Sequence, residues 1–131
     1  MPACCSNYRS ATCQENRAQV ERQILQEIKL NRYVVTNEKP VIISALGAVA
    51  KPDTSELRII HDCSRPIGKS LNSYANPDSF SFVTVDQASK YVKPGYYMAK
   101  IDLKSAYRHV GLHPSQFPFT GLQWHFTGDP N

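Results

Sequence analysis

Val41-Ile42-Ile43-Ser44-Ala45-Leu46-Gly47-Ala48-Val49-Ala50, Lys51-Pro52-Asp53-Thr54-Ser55-Glu56 and Leu57-Arg58-Ile59-Ile60-His61 follow one another, and this is the stretch on which the fold turns. Two runs of β-branched and small apolar residues flank six turn formers, which predicts a β-hairpin with a polar tip. Upstream, Thr12 and Glu15 have capping-box spacing, and Val20, Ile24, Leu25 and Ile28 recur at helical spacing to about Asn31. That predicts an amphipathic helix with one buried stripe. Residues 1–11 show no periodicity and read as part of a loose leader, and Tyr33–Thr36 reads as a further short strand.

Downstream of Asp62, Pro66, Gly68, Asn72 and Asn76-Pro77-Asp78 mark a loop. Thr84 and Gln87 form a second capping box, and Pro94-Gly95 stops the helix it opens. Tyr96–Asp102 alternates as a strand, Ser105–Val110 reads as a short helix, and Gly121–Phe126 reads as a last strand. Helix, hairpin, helix, strand, helix, strand is the order of a mixed α+β domain.

The chain has 131 residues, 41% of them hydrophobic, enough for one domain with its own core. No apolar run approaches the ~20 residues that cross a bilayer, and the first residues lack the pattern of a secretory signal. An intracellular protein is the expectation, with nucleus or cytoplasm unresolved and no membrane partner. Cys4, Cys5, Cys13 and Cys63 are too unevenly spread for a disulfide framework and read as reduced thiols. The net charge of +4 is mild, but Lys90, Lys93, Lys100, Lys104 and Arg108 surround the lone anion Asp102 in one short stretch. By composition alone that stretch is a solvated basic face.

A carboxylate at the end of a strand is rigidly aimed, and Asp102 with the carbonyl of Leu103 offers the hard oxygen ligands that Mg²⁺ takes. A strand-end Asp also serves as a helix N-cap. The neighbours weigh toward chemistry, because Asp102-Leu103-Lys104-Ser105-Ala106-Tyr107 resembles the first palm motif of reverse transcriptases. Leu57-Arg58-Ile59-Ile60-His61-Asp62-Cys63-Ser64-Arg65, leading to Leu71-Asn72, is similar to the fingers motif preceding it in that family. Val110-Gly111-Leu112-His113-Pro114 and Phe119-Thr120-Gly121-Leu122 resemble the stretch that leaves the palm motif. The longer spacing from Asp62 to Asn72 departs from the retroviral pattern and is similar to DIRS-like retroelements.

The resemblance spans about Val20 to the C-terminus, so 1–19 stand as a leader and 20–131 as a partial reverse transcriptase domain. It implies the fingers and partial palm of a right-hand polymerase, truncated before the second catalytic motif. Asp102 would be the first metal-binding aspartate, and Leu103 would lend its carbonyl. Tyr107 would be the steric gate, its ring filling the space a ribose 2′-hydroxyl needs; otherwise it is a core aromatic. Lys51 and Arg58, flanking the hairpin tip, would grip the triphosphate of a deoxynucleotide, the one as a compact charge and the other as a planar fork. Composition alone makes them solvated hairpin charges. Asp62 and Arg65 would orient the fingers strand or its loop.

The reaction so implied is attack of a primer 3′-hydroxyl on the α-phosphate of a deoxynucleoside triphosphate, on an RNA or DNA template, with two Mg²⁺ ions ~3.5–4 Å apart. No Tyr-x-Asp-Asp follows Tyr107, and Asp129 sits in a terminal turn, so inactivity of this chain alone is expected. A palm lacking its other strands would expose an apolar sheet face. A retroelement remnant or small interaction module with weak nucleic-acid binding is the alternative. Tyr91, Tyr96, Tyr97 and Trp124 could stack on bases, worth ~1–3 kcal/mol each where they do so. His109 with His113 lacks partners for zinc, and Gly68-Lys69-Ser70 lacks the upstream glycine of a phosphate loop.

Overall fold

A computed structural model of the chain describes residues 3–76 and 79–128. The elements are strand β1 (Ala3–Cys4), helices α1 (Arg9–Thr12) and α2 (Gln14–Lys29), strands β2 (Ile42–Ile43), β3 (Ala45–Ala50) and β4 (Leu57–Asp62), and short helices α3 (Leu71–Tyr74) and α4 (Val85–Ser89). Single 3₁₀ segments follow at Ala106–His109 and Pro114–Phe119. The result is a small mixed α+β protein. It divides into two units, Met1–Ala75 with Gly111–Asn131 and Asn76–Val110. No helix among the described residues is long and apolar enough to cross a membrane.

The expected hairpin is the centre of the first unit. β3 and β4 pair antiparallel from Ala45 opposite Asp62 to Ala50 opposite Leu57. At the tip, the Lys51 amide donates to the Glu56 carbonyl at 2.9 Å, and Asp53 turns the chain at φ 59°, a left-handed conformation that Asp tolerates better than most residues. Because side chains alternate across the pleat, Leu46, Ala48 and Leu57 face inward, where they bury against Val20 and Ile24 of α2. Leu46 and Val20 are completely inaccessible, and burying a side chain of that size contributes about 1.5–3 kcal/mol. Val20 and Ile24 of the predicted stripe, with Ile28 partly buried beside them, are therefore the other half of the core, whereas Leu25 is exposed.

The run Val41–Ala50 is not one strand. It breaks at Ser44, because Ile42–Ile43 pairs parallel with β1 on one side and Ile43 bridges to Gly121 on the other, whereas β3 is committed to β4. Gly121 is required there: an added Cβ would lie 2.5 Å from Pro40 Cβ and 2.8 Å from the Ile42 carbonyl oxygen.

The N-terminal stretch read as loose is instead structural. The Asn7 side-chain oxygen accepts from the Leu46 amide at 2.9 Å, the Ser10 hydroxyl accepts from the Ala48 amide at 3.1 Å, and the Tyr8 amide donates to the Leu46 carbonyl at 2.8 Å. The free edge of β3 is thus satisfied by side chains and backbone of a segment with no periodicity of its own. Ala11 is fully buried beneath it. α2 runs across the boundary expected at 19–20, and its cap is Cys13 rather than Thr12, with Glu15 in the first turn.

Two further strands are corrected. Tyr33–Thr36 is irregular: the amides of Arg32 and Tyr33 bond back to the Glu27 carbonyl after Asn31 turns left-handed, which leaves them bound to the helix end rather than to a sheet. In Gly121–Phe126, among the described residues, Gly121 alone bridges. The rest is held by side chains, with Leu122, Trp124 and Phe126 packed on the core.

In the second unit the Thr84 and Gln87 box forms as predicted, with reciprocal bonds of 3.2 and 2.9 Å opening α4. Tyr96–Asp102, expected as a strand, has irregular backbone and belongs to neither sheet among the described residues. A strand exists only through a ladder partner, and alternation supplies none. The described residues of 79–110 are all exposed. The loop position Asn76-Pro77-Asp78 and the turn at Asp129 fall partly or wholly outside the described residues.

Candidate functional site

The structure places Lys51 and Arg58 on either side of the hairpin tip, Lys51 after β3 and Arg58 on β4 opposite Val49. Arg58 is exposed on the outer face, and the Lys51 ammonium pairs with the Glu56 carboxylate across the tip. A solvent-exposed ion pair of this kind contributes about 0–1 kcal/mol, so a multiply charged anion competes with Glu56 at little cost. The hairpin therefore presents two cations on one ribbon end.

At the other end of the hairpin, where Asp62 stands opposite Ala45, lies a feature that the sequence did not disclose. Tyr8 donates its phenol proton to Asp62 Oδ2 in a short hydrogen bond, and the Ser64 amide donates to Oδ1 at 3.0 Å. These two bonds hold the Asp62 carboxyl below its usual range, and the same bond to Asp62 raises the Tyr8 phenol above its usual value. Asn72 extends the network, its side-chain amide reaching the Ser64 hydroxyl at 2.9 Å and its backbone amide the Cys63 carbonyl at 2.9 Å. Asp62 thereby braces the turn after β4. The braced turn walls a shallow groove of about 390 Å³ over the outer hairpin face, floored by Gly47, Val49 and Ile60. Tyr8 is 54 positions from Asp62, and nothing in the local pattern around either residue announces their meeting.

In the second unit, Asp102 and Leu103 lie on irregular, exposed backbone rather than at a strand end. Ser105 then turns left-handed at φ 56° and opens the 3₁₀ segment that carries Tyr107, whose ring is 92% exposed. The ring is thus free of the core that was its structural alternative. Tyr91, Tyr96 and Tyr97 are exposed as well, whereas Trp124 is half-buried under the Arg17 guanidinium, 5.3 Å from the ring centre.

Among the described residues, the donors do not make up the implied Mg²⁺ pair. Asp102 is one carboxylate, and no cluster of three or more His, Cys, Asp or Glu side chains able to hold a metal exists among the described residues. A two-ion centre requires more. The four cysteines are free thiols. No family model, curated protein or solved structure matches the chain.

Proposed function

We propose that the chain carries the fingers and first palm motif of an RNA-directed DNA polymerase of a retroelement, similar to the DIRS-like group. In this reading the protein adds deoxynucleotides to a primer 3′-hydroxyl on an RNA or DNA template. The observation that carries the proposal is the hairpin β3–β4, with Lys51 and Arg58 at its tip, encoded in the fingers-like motif and followed in order by the Asp102 to Tyr107 motif. Lys51 and Arg58 hold the triphosphate oxygens, Tyr107 screens the sugar, and Asp102 is one of the carboxylates the reaction needs. The others belong to a Tyr-x-Asp-Asp hairpin that these 131 residues do not contain, and the chain alone does not polymerise.

One set of observations favours a second reading for the isolated chain. Lys51 is paired with Glu56, and Asp102 stands on irregular backbone, which suits a non-catalytic retroelement module with weak nucleic-acid binding. Primer extension on an RNA template separates the two. The chain joined to a downstream palm bearing Tyr-x-Asp-Asp extends the primer under the first reading, and the chain alone does not. A folded joined protein without extension sinks the polymerase reading, and extension by the chain alone sinks the claim of inactivity.

A further inference from the structure

One oxygen of Glu21, a half-buried residue of α2, collects an unusual number of donors. Glu21 Oε1 accepts from Trp124 Nε1 at 3.3 Å, from the Thr127 amide at 3.0 Å, from Thr127 Oγ1 at 3.1 Å and from Arg17 Nε at 3.1 Å. Arg17 also donates to Thr127 Oγ1 at 3.0 Å and to the His125 carbonyl, and its guanidinium covers the Trp124 ring. Residues 121–127 thus form a strap lashed to α2. Among the described residues the strap has no strand ladder beyond the Gly121 bridge, and the Gln123 carbonyl is held by the Asn7 side chain. Past Gly121 its attachment rests on the bonds to Arg17, Glu21 and Asn7 and on three apolar side chains, unlike the hairpin with its six-residue ladder.

We propose that Glu21 and Arg17 form an acid-releasable clasp: protonating Glu21 frees the strap from α2 while the β3–β4 hairpin and the helix stay folded. A carboxylate receives charge-assisted hydrogen bonds roughly twice as strong as those to a neutral group, so adding one proton weakens all four contacts together. Of the charged groups facing Glu21, α2 supplies Arg17, and the strap supplies the neutral donors of Trp124 and Thr127. The His125 ring lies 3.3 Å from the Gln123 side chain. Burial pushes the Glu21 carboxyl up, but the Trp124 and Thr127 hydrogen bonds and the Arg17 cation outweigh it and leave the group below its ordinary range. Local opening of a weakly laddered segment ahead of the core is a general property of folded chains. The proposal is independent of the polymerase reading.

Trp124 is the one tryptophan of the chain and reports the clasp directly. In an acid titration of the full chain, its emission shifts red with a midpoint below the ordinary carboxyl value of 4.5 while far-ultraviolet helix ellipticity holds. Arg17→Gln moves that midpoint up, Glu21→Gln abolishes the step, and His125→Gln leaves it in place. Coincident loss of emission and ellipticity overturns the clasp, as does a step that survives in Glu21→Gln or vanishes in His125→Gln. Should Glu21→Gln fail to fold, the direction of the Arg17→Gln shift decides alone, and an unchanged midpoint overturns it.

Discussion

Replacing Gly121 with Ala tests how the C-terminal return of the chain is seated. The new methyl would lie 2.5 and 2.6 Å from Pro40 Cβ and Cγ and 2.8 Å from the Ile42 carbonyl oxygen. None of these can swing aside, since two belong to a proline ring and the third is backbone. The same glycine donates to the Ile42 carbonyl at 3.2 Å and accepts from the Ser44 amide at 2.9 Å, so displacing it strains both bonds. Forced overpacking costs about 1–3 kcal/mol. With a urea slope of about 2 kcal/mol/M for a protein of this size, the unfolding midpoint falls by roughly 0.5–1.5 M. Equilibrium urea unfolding followed by circular dichroism measures the shift. An unchanged midpoint would refute the seating of 118–121 against β2.

Leu46→Ala truncates the largest fully buried side chain of the core and lowers stability by about 2–5 kcal/mol in the same assay, more than any change on the exposed 79–110 stretch. Tyr8→Phe removes the brace on Asp62, and its effect depends on pH at both ends. The depressed Asp62 carboxyl contributes stability above its ordinary value of 3.8 that is lost as pH falls through the lower folded value. The raised Tyr8 phenol contributes stability below 10.0 that is lost as pH rises through the higher folded value. Urea midpoints of wild type and Tyr8→Phe therefore converge at acid and alkaline extremes and differ most between them. If the proposed function holds, Tyr107→Val in the chain joined to a Tyr-x-Asp-Asp palm raises ribonucleotide use relative to deoxynucleotide by about 10- to 200-fold, the discrimination that shape gives against one small group. Competitive incorporation on one template measures it, and an unchanged ratio removes Tyr107 from the sugar pocket.

The elements legible in the sequence are those whose cause is local. The hairpin is written in two apolar runs and a polar tip, α2 in its spaced Val20, Ile24 and Ile28, and α4 in the reciprocal Thr84 and Gln87 box. What failed depends on distant partners. Asn7, Tyr8 and Ser10 have no periodicity, yet each is fixed by a bond to a β3 residue 38 or 39 positions away. Tyr96–Asp102 alternates as a strand should, but no ladder makes it one among the described residues. Of the candidate site, the position of Lys51 and Arg58 on either side of the hairpin tip was legible from turn chemistry. The bracing of Asp62 by Tyr8 was invisible, because no spacing rule links residues that meet only after folding.

The most direct measurement is the primer-extension rate of the chain joined to a Tyr-x-Asp-Asp palm, with Asp102→Asn set beside Asp86→Asn. Asp86 lies in the first turn of α4 and is exposed like Asp102, so it controls for loss of a surface charge in the same unit. Extension falls to background in Asp102→Asn and persists in Asp86→Asn if Asp102 is the first catalytic carboxylate. Wild-type extension by Asp102→Asn would contradict the assignment on which the functional account stands.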